Sequence, residues 1–117
     1  MSTARILIAD DHELVRDGIR SRIESHPGWT VCAEAVDGRQ AVEMARRFGP
    51  DVAVLDIGMP ELNGIAAAGQ IRKACPDTEV LILTMLQSDQ AVLEAIAEGA
   101  RGFILKTDAS QLLLSAI

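Results

Sequence analysis

Five short apolar runs constrain the fold of this chain more than any other feature of its sequence. They are rich in Ile, Val, Leu and Ala and cover residues 4–10, 30–36, 51–57, 79–85 and 101–106. A short apolar run bounded by turn residues is typical of a strand that is buried on both faces. The sequence therefore predicts five buried strands.

The segments between these runs carry apolar residues at helical spacing. After the first run, for example, Val15, Ile19 and Ile23 fall on one helical face. Strands that alternate with helices predict an α/β fold, in which helices cover both faces of a parallel sheet. For one domain of 117 residues we expect the flavodoxin-like (βα)5 arrangement, a doubly wound five-stranded sheet with strand order 2-1-3-4-5.

Charge and hydropathy argue against two classes of function, direct nucleic-acid binding and a membrane span. The formal net charge is −6 and no basic stripe is present, which argues against direct binding to nucleic acid. No apolar run reaches the ~18 residues of a membrane span, and the N-terminus lacks a signal-peptide pattern. We therefore expect a cytoplasmic protein. Because the closing segment DASQLLLSAI starts a helix and stops without a cap, we also expect residues 1–117 to be one domain of a longer protein.

Polar side chains end four of the five apolar runs. Asp10 and Asp11 end the first run, Asp56 the third, Thr84 the fourth and Lys106 the fifth. In the expected strand order, the functional crevice lies beyond the carboxyl ends of the strands, at the point where the order reverses. We therefore expect these side chains to meet at one edge of the sheet.

Together, these residue types favour phosphoryl chemistry. Three carboxylates in one crevice repel one another, and clustered oxygen ligands suit a hard cation such as Mg²⁺. A carboxylate can also act as a nucleophile and form an aspartyl phosphate. A Thr hydroxyl and a Lys ammonium nearby can bind the phosphoryl oxygens.

Each polar residue also has a simpler explanation when it is taken alone. Asp10 and Glu13 have the spacing of a capping box. Thr84 suits a strand by propensity, and Lys106 can extend from a strand end into solvent. We interpret His12 as a solvated residue of the first helical turn rather than as a ligand. Their joint occurrence at strand ends nevertheless favours a common site.

Four segments resemble the receiver domain of two-component response regulators: LIADDHELVRDGI, VLDIGMPELNGI, LILTM and GARGFILK. The resemblance covers essentially the whole chain, and the combination of DD, DxxMPxxxG, T and K is highly specific. The sequence is most similar to the NarL/FixJ subfamily. Members of that subfamily usually carry a C-terminal helix-turn-helix output domain, which we expect to be absent from this chain.

The resemblance implies a role for each acidic residue. Asp56 would be the phosphoacceptor, which attacks the phosphohistidine of a sensor histidine kinase. Asp11 and Asp56 would bind Mg²⁺ directly, together with the backbone carbonyl of Gly58. Asp10 would act through a metal-bound water.

The resemblance also implies a set of residues that bind the phosphoryl group and switch. Lys106 would bind one phosphoryl oxygen, Thr84 would move to another, and Phe103 would change rotamer. Many receivers have proline after the lysine and tyrosine at the switch position, whereas this sequence has Thr107 and Phe103. Because phenylalanine has no hydroxyl, switching at that position would depend on packing.

The implied partners are a sensor histidine kinase and a second copy of the protein, in a phosphorylation-dependent homodimer. DNA would be reached only through the missing output domain, and no membrane is involved. The chain would catalyse only its own phosphorylation and dephosphorylation.

Two alternatives remain at this stage. One is a phosphatase or phosphotransferase similar to the haloacid dehalogenase superfamily, although those enzymes carry their nucleophile on the first strand rather than the third. The other is a degenerate receiver that acts only as an interaction module. Such a receiver would be expected to lack one of the acidic, Thr or Lys positions, and all of them are present here.

Overall fold

A computed structural model describes residues 3–56, 59, 62–84 and 102–105, with the backbone alone for residues 84 and 102–105. The strands of this part of the chain are β1 (Ala4–Ala9), β2 (Trp29–Ala35), β3 (Val52–Asp56), β4 (Glu79–Thr84) and β5 (Gly102–Leu105). Its helices are α1 (Glu13–Glu24), α2 (Gly38–Phe48) and α3 (Gly64–Ala74).

The five strands form one parallel sheet in the order β2-β1-β3-β4-β5. The predicted strand order and the flavodoxin-like fold are therefore confirmed. Each predicted strand is present, and β2 begins one residue earlier than predicted, at Trp29, where the ladder with Ala4 of β1 begins. The fourth and fifth helices that the periodicity predicts lie outside the described residues. None of the described helices is long and apolar enough to span a membrane.

Two apolar layers cover the sheet, and their composition follows from the alternation of side chains along each strand. Ile6 and Ile8 of β1 lie on the face that packs against α1, where Ile23 is fully buried. Leu7 and Ala9 lie on the opposite face, which packs against α2 and α3. On that side the two helices contribute small buried residues that allow close approach: Ala41, Ala45, Ala67 and Ala68.

Local sequence signals set the ends of α2 and α3. The side chain of Asp37 accepts a hydrogen bond from the amide of Gln40 (2.8 Å), and Asn63 does the same for Ala66 (2.9 Å). Both are N-caps that satisfy amides without a partner inside the helix. At its other end α2 stops at Gly49, whose φ of 56° is a left-handed conformation that glycine adopts without a steric penalty.

Candidate functional site

The acidic residues meet at the carboxyl edge of the sheet because β1 and β3 are neighbours. Ala9 at the end of β1 pairs with Leu55, so the turn that follows β1 lies beside Asp56, the last residue of β3. One ligand atom from each of four side chains lies within 4.8 Å of the others; the four residues are Asp10, Asp11, His12 and Asp56. The structure thus brings the three predicted carboxylates together.

The three carboxylates differ in burial. The side chain of Asp10 is fully buried, Asp56 is 4% exposed, and the side chain of Asp11 is 33% exposed. Three negative carboxylates this close together repel one another, and the two buried ones also lose their hydration. Both effects are costly unless a cation compensates the charge. Oxygen ligands of this kind, partly open to solvent, fit Mg²⁺, which usually keeps several waters.

The turn between β1 and α1 contradicts the simpler explanation of Asp10 as a helix cap. Helix α1 begins at Glu13 with His12 as its N-cap, and no side chain caps it. Asp10 lies two residues before that cap, and its Oδ1 accepts a hydrogen bond from the amide of His12 (2.8 Å). The capping-box interpretation of Asp10 and Glu13 is therefore wrong, because the helix starts too late for it.

His12 belongs to the cluster more closely than the sequence indicated. Its ring is 64% exposed, in agreement with a solvated residue, yet Nδ1 lies 3.1 Å from Oδ1 of Asp10 and 3.1 Å from Oδ1 of Asp11. The imidazole therefore adds a nitrogen atom to the three carboxylates. Its position directly after the Asp-Asp pair was the signal in the sequence.

A network of ion pairs borders the site on the side of α1 and β2. Arg20 Nη1 lies 2.7 Å from Glu34 Oε2, and its Nη2 lies 3.0 Å from Asp17 Oδ1. The hydrogen bond to Glu34 is the main cause that raises the pKa of Arg20, and the negative charge of the same carboxylate raises it further. These contacts orient the carboxylate of Glu34, and sequence reasoning did not predict them.

Gly38 at the start of α2 lies directly against the backbone of Leu62. A Cβ atom at Gly38 would overlap with the carbonyl group of Leu62, between β3 and α3. Only glycine allows the backbones to approach so closely there. The position of this glycine directly after the N-cap Asp37 does not by itself identify the close contact.

The remaining predicted site residues are placed only in part. Thr84 ends β4 and pairs with Leu105 of β5, and Phe103 lies within β5 opposite Ile82. These backbone positions agree with the predicted strand ends. The side chains of Thr84 and Phe103, together with residues 58 and 106, lie outside what the structure describes.

The arrangement can bind a divalent cation and present a nucleophile beside it. Asp56 ends a fully buried strand and faces the turn that carries Asp10 and Asp11. A carboxylate held in this way can attack an electrophilic phosphorus atom once the surrounding negative charge is compensated.

The chain is similar to known proteins over almost its whole length. Residues 6–117 match the family model of the response regulator receiver domain. The chain is 40% identical over 113 residues to the uncharacterized transcriptional regulatory protein YxjL of Bacillus subtilis (strain 168), covering 97% of this chain and 52% of that protein. It is 36% identical over 113 residues to the nitrate/nitrite response regulator protein NarP of Escherichia coli (strain K12), covering 97% and 53%. The chain thus spans about half the length of these relatives.

A solved structure is similar over nearly the whole chain. It is a two-component response regulator of the LuxR family from Aurantimonas sp. SI85-9A1, with a TM-score of 0.92 and 39% sequence identity. The similarity covers 97% of this chain and 81% of that one. The predicted relationship to response regulators of the NarL type agrees with these relatives.

Proposed function

Because the chain belongs to the response regulator receiver domain family, we propose that Asp56 accepts a phosphoryl group from a sensor histidine kinase and so controls a transcriptional output domain. The observation that carries this proposal is the cluster of Asp10, Asp11, His12 and Asp56 at the carboxyl edge of the sheet. The family assignment removes the haloacid dehalogenase alternative.

In the proposed reaction, a carboxylate oxygen of Asp56 attacks the phosphorus atom of a phosphohistidine. The new O–P bond forms as the P–N bond breaks, and the electron pair of that bond returns to the imidazole, which takes a proton. Asp11, Asp56 and the backbone carbonyl of Gly58 would hold Mg²⁺ directly, and Asp10 would hold it through water. When bound, the ion supplies positive charge that offsets the carboxylates and the phosphoryl oxygens.

Three further residues complete the proposed mechanism. Lys106 binds one phosphoryl oxygen, Thr84 moves to another, and Phe103 changes its packing with the switch. The position of Thr84 at the carboxyl end of β4, next to β3 in the sheet, supports its role. Phosphorylation would then bias an equilibrium between two conformations.

The proposed partners follow from the family. A histidine kinase supplies the phosphoryl group, and the phosphorylated form associates with a second copy of the protein. A helix-turn-helix output domain in the part of the protein beyond this chain contacts DNA. The protein acts in the cytoplasm and catalyses only its own phosphorylation and dephosphorylation.

Labelling by acetyl phosphate tests the assignment of Asp56. In the presence of Mg²⁺, the wild-type chain should gain the mass of one phosphoryl group in intact-mass spectrometry, and Asp56→Asn should gain none. Asp51→Asn is the matched control, because it changes the carboxylate at the other end of β3, and it should be labelled like the wild type.

Two results would contradict the proposal. Stoichiometric labelling of Asp56→Asn would move the acceptor to another residue. A wild-type chain that is never labelled at saturating Mg²⁺ would identify the degenerate receiver as the correct alternative.

A further inference from the structure

We propose that Arg16 is a positioning residue for the metal site, because its guanidinium holds the peptide that joins Asp10 to Asp11 and thereby directs the carboxylate of Asp11. The inference rests on the proposed function, in which Asp11 is a direct ligand of Mg²⁺. In this inference the affinity of the acidic cluster for Mg²⁺ depends on Arg16, a residue outside the cluster.

The contacts of Arg16 join two elements of the fold. Its Nη1 donates a hydrogen bond of 2.8 Å to the carbonyl oxygen of Asp10. Its Nε lies 3.4 Å from Oε1 of Glu34 on β2. The side chain is only 15% exposed, so the guanidinium is held mainly by protein groups.

The position of Arg16 near the N-terminus of α1 is not favoured by the helix itself. A cation close to the N-terminus of a helix gains nothing from the helix dipole, which favours negative charge there. Side chains on a helix tilt toward its N-terminus, and this directs Arg16 back to the turn that precedes α1. The guanidinium of Arg16 places two separate nitrogens, Nη1 and Nε, on the carbonyl and the carboxylate in a fixed plane, whereas lysine carries all its donors on one nitrogen.

Glu34 gives the guanidinium a fixed anchor. It lies on β2 opposite Ile8 of β1 and is bound on its other oxygen by Arg20 at 2.7 Å. Arg20 is in turn bound to Asp17 at 3.0 Å. The sheet and α1 therefore hold Arg16 from one side while it holds the turn from the other.

Asp10 and Asp11 depend on this contact to different extents. Asp10 is also held by its amide, which donates to the carbonyl of Ala35 (3.1 Å), and by its carboxylate, which accepts from the amide of His12 (2.8 Å). The side chain of Asp11 is one-third exposed, so packing restrains it less. Loss of Arg16 should therefore disturb Asp11 most.

Positioning and simple electrostatics predict opposite signs for the removal of Arg16. A positive charge beside the cluster repels a cation, so its loss alone would tighten binding of Mg²⁺. Loss of a positioning group leaves a ligand poorly directed and weakens binding, by 10- to 100-fold for groups that orient metal ligands. The direction of the change in affinity therefore decides between the two effects.

The experiment is a titration of the full chain with Mg²⁺, followed by the NMR amide shifts of Asp11 and Asp56. We expect the Kd of Arg16→Met to rise about tenfold. Arg16→Lys keeps the charge without the planar guanidinium, and its Kd should rise at least as much. A second readout needs no metal: the amide of His12 should exchange faster with solvent in both variants, because the turn is loosened.

Arg72→Met is the matched control. Arg72 also binds backbone carbonyls, those of Pro76 (3.0 Å) and Thr78 (2.7 Å), at the opposite edge of the sheet. Its loss should lower the free energy of unfolding and leave the Kd for Mg²⁺ unchanged. A rise in Kd confined to the Arg16 variants therefore reports positioning rather than a general loss of stability.

The outcomes separate this inference from the function on which it rests. An unchanged or lower Kd in Arg16→Met, with normal binding by the wild type, overturns the role of Arg16 and leaves the metal site intact. Equal weakening in Arg72→Met also overturns it. If the wild-type amides do not respond to Mg²⁺, the assignment of the metal site itself fails.

Discussion

The two ends of β3 each carry an aspartate, and the two are used in opposite ways. Asp51 precedes the strand, is exposed, and accepts a hydrogen bond from the amide of Arg5 at 2.8 Å. Asp56 ends the strand, is 4% exposed, and lies in a cluster with two further carboxylates. The first carboxylate completes a backbone contact between β1 and β3, whereas the second adds to a concentration of like charge.

Other polar groups at the amino edge of the sheet, where the strands begin, also bind backbone atoms as Asp51 does. The buried hydroxyl of Thr78 donates to the carbonyl of Pro50 at 2.7 Å, and Arg72 binds the carbonyl of Thr78 at 2.7 Å. These polar groups satisfy backbone atoms at the point where strands begin. At the carboxyl edge, charge is gathered at some cost in stability, which is typical of the edge that binds ligands in open α/β sheets. The polar groups of the amino edge therefore stabilise the fold, whereas the acidic cluster of the carboxyl edge is arranged for binding.

Stabilisation by Mg²⁺ should differ most between variants of the two edges. At a concentration of 100 times its Kd, a ligand that binds only the folded state raises the free energy of unfolding by about 2.7 kcal/mol. Urea unfolding with and without Mg²⁺ should show this gain for the wild type and for Asp51→Asn. In Asp56→Asn most of the gain should be absent, because a proposed ligand is lost.

An equal gain in Asp56→Asn and the wild type would contradict the assignment of ion binding to the carboxyl edge. It would place the bound ion away from the carboxyl end of β3. Loss of the gain in Asp51→Asn would also contradict it, since the amino edge would then contribute to ion binding.

The next effect concerns the close contact of Gly38 with Leu62. Because an added Cβ would overlap with the carbonyl of Leu62, Gly38→Ala should lower the free energy of unfolding by about 2 kcal/mol, in the range for overpacked sites. It should also shift the amide resonances of residues 62–64. Gly18→Ala is the matched control, as Gly18 is exposed in α1 and an added Cβ meets no atom within 4 Å.

Gly18→Ala should raise the free energy of unfolding by about 0.5–1 kcal/mol, because alanine is the better helix former. Urea unfolding of both variants checks the pair. Equal stability changes in the two would mean that the close contact with Leu62 does not restrict the side chain at position 38.

The smallest expected effect lies at the amino edge. Thr78→Val keeps the shape of a buried side chain and leaves the carbonyl of Pro50 without its hydroxyl partner. The free energy of unfolding should fall by about 1 kcal/mol, the usual size for one hydrogen bond. The Kd for Mg²⁺, measured by NMR titration, should be unchanged. A weaker affinity in this variant would show that the two edges are coupled.

Much of the fold could be predicted because the signals are local. The apolar runs that became β1 to β5 and the helical spacing of Ile19 and Ile23 depend on neighbours along the chain, and both were correct. The approach of Asp10, Asp11 and Asp56 also followed, since the strand order brings those strand ends to one edge.

The parts of the site that could not be predicted depend on side-chain direction and on helix starts. The Asp10–Glu13 spacing suggested a capping box, but α1 begins only at Glu13, because His12 is still extended. An extended residue at that position keeps the carboxylate of Asp10 in the crevice, where it accepts from the amide of His12. The same geometry turns the His12 ring onto two carboxylates.

Which residues form strands, and at which edge the acidic residues gather, could be inferred from the amino-acid order alone, because periodicity and strand order require no knowledge of side-chain contacts. The contact of Arg16 with the carbonyl of Asp10, and that of Gly38 with Leu62, became visible only in the folded chain. Those contacts depend on how α1 and α2 are seated on the sheet. The positions of α1 and α2 on the sheet result from the packing of the whole core. No single residue in that core specifies its distance to a residue far away in the sequence.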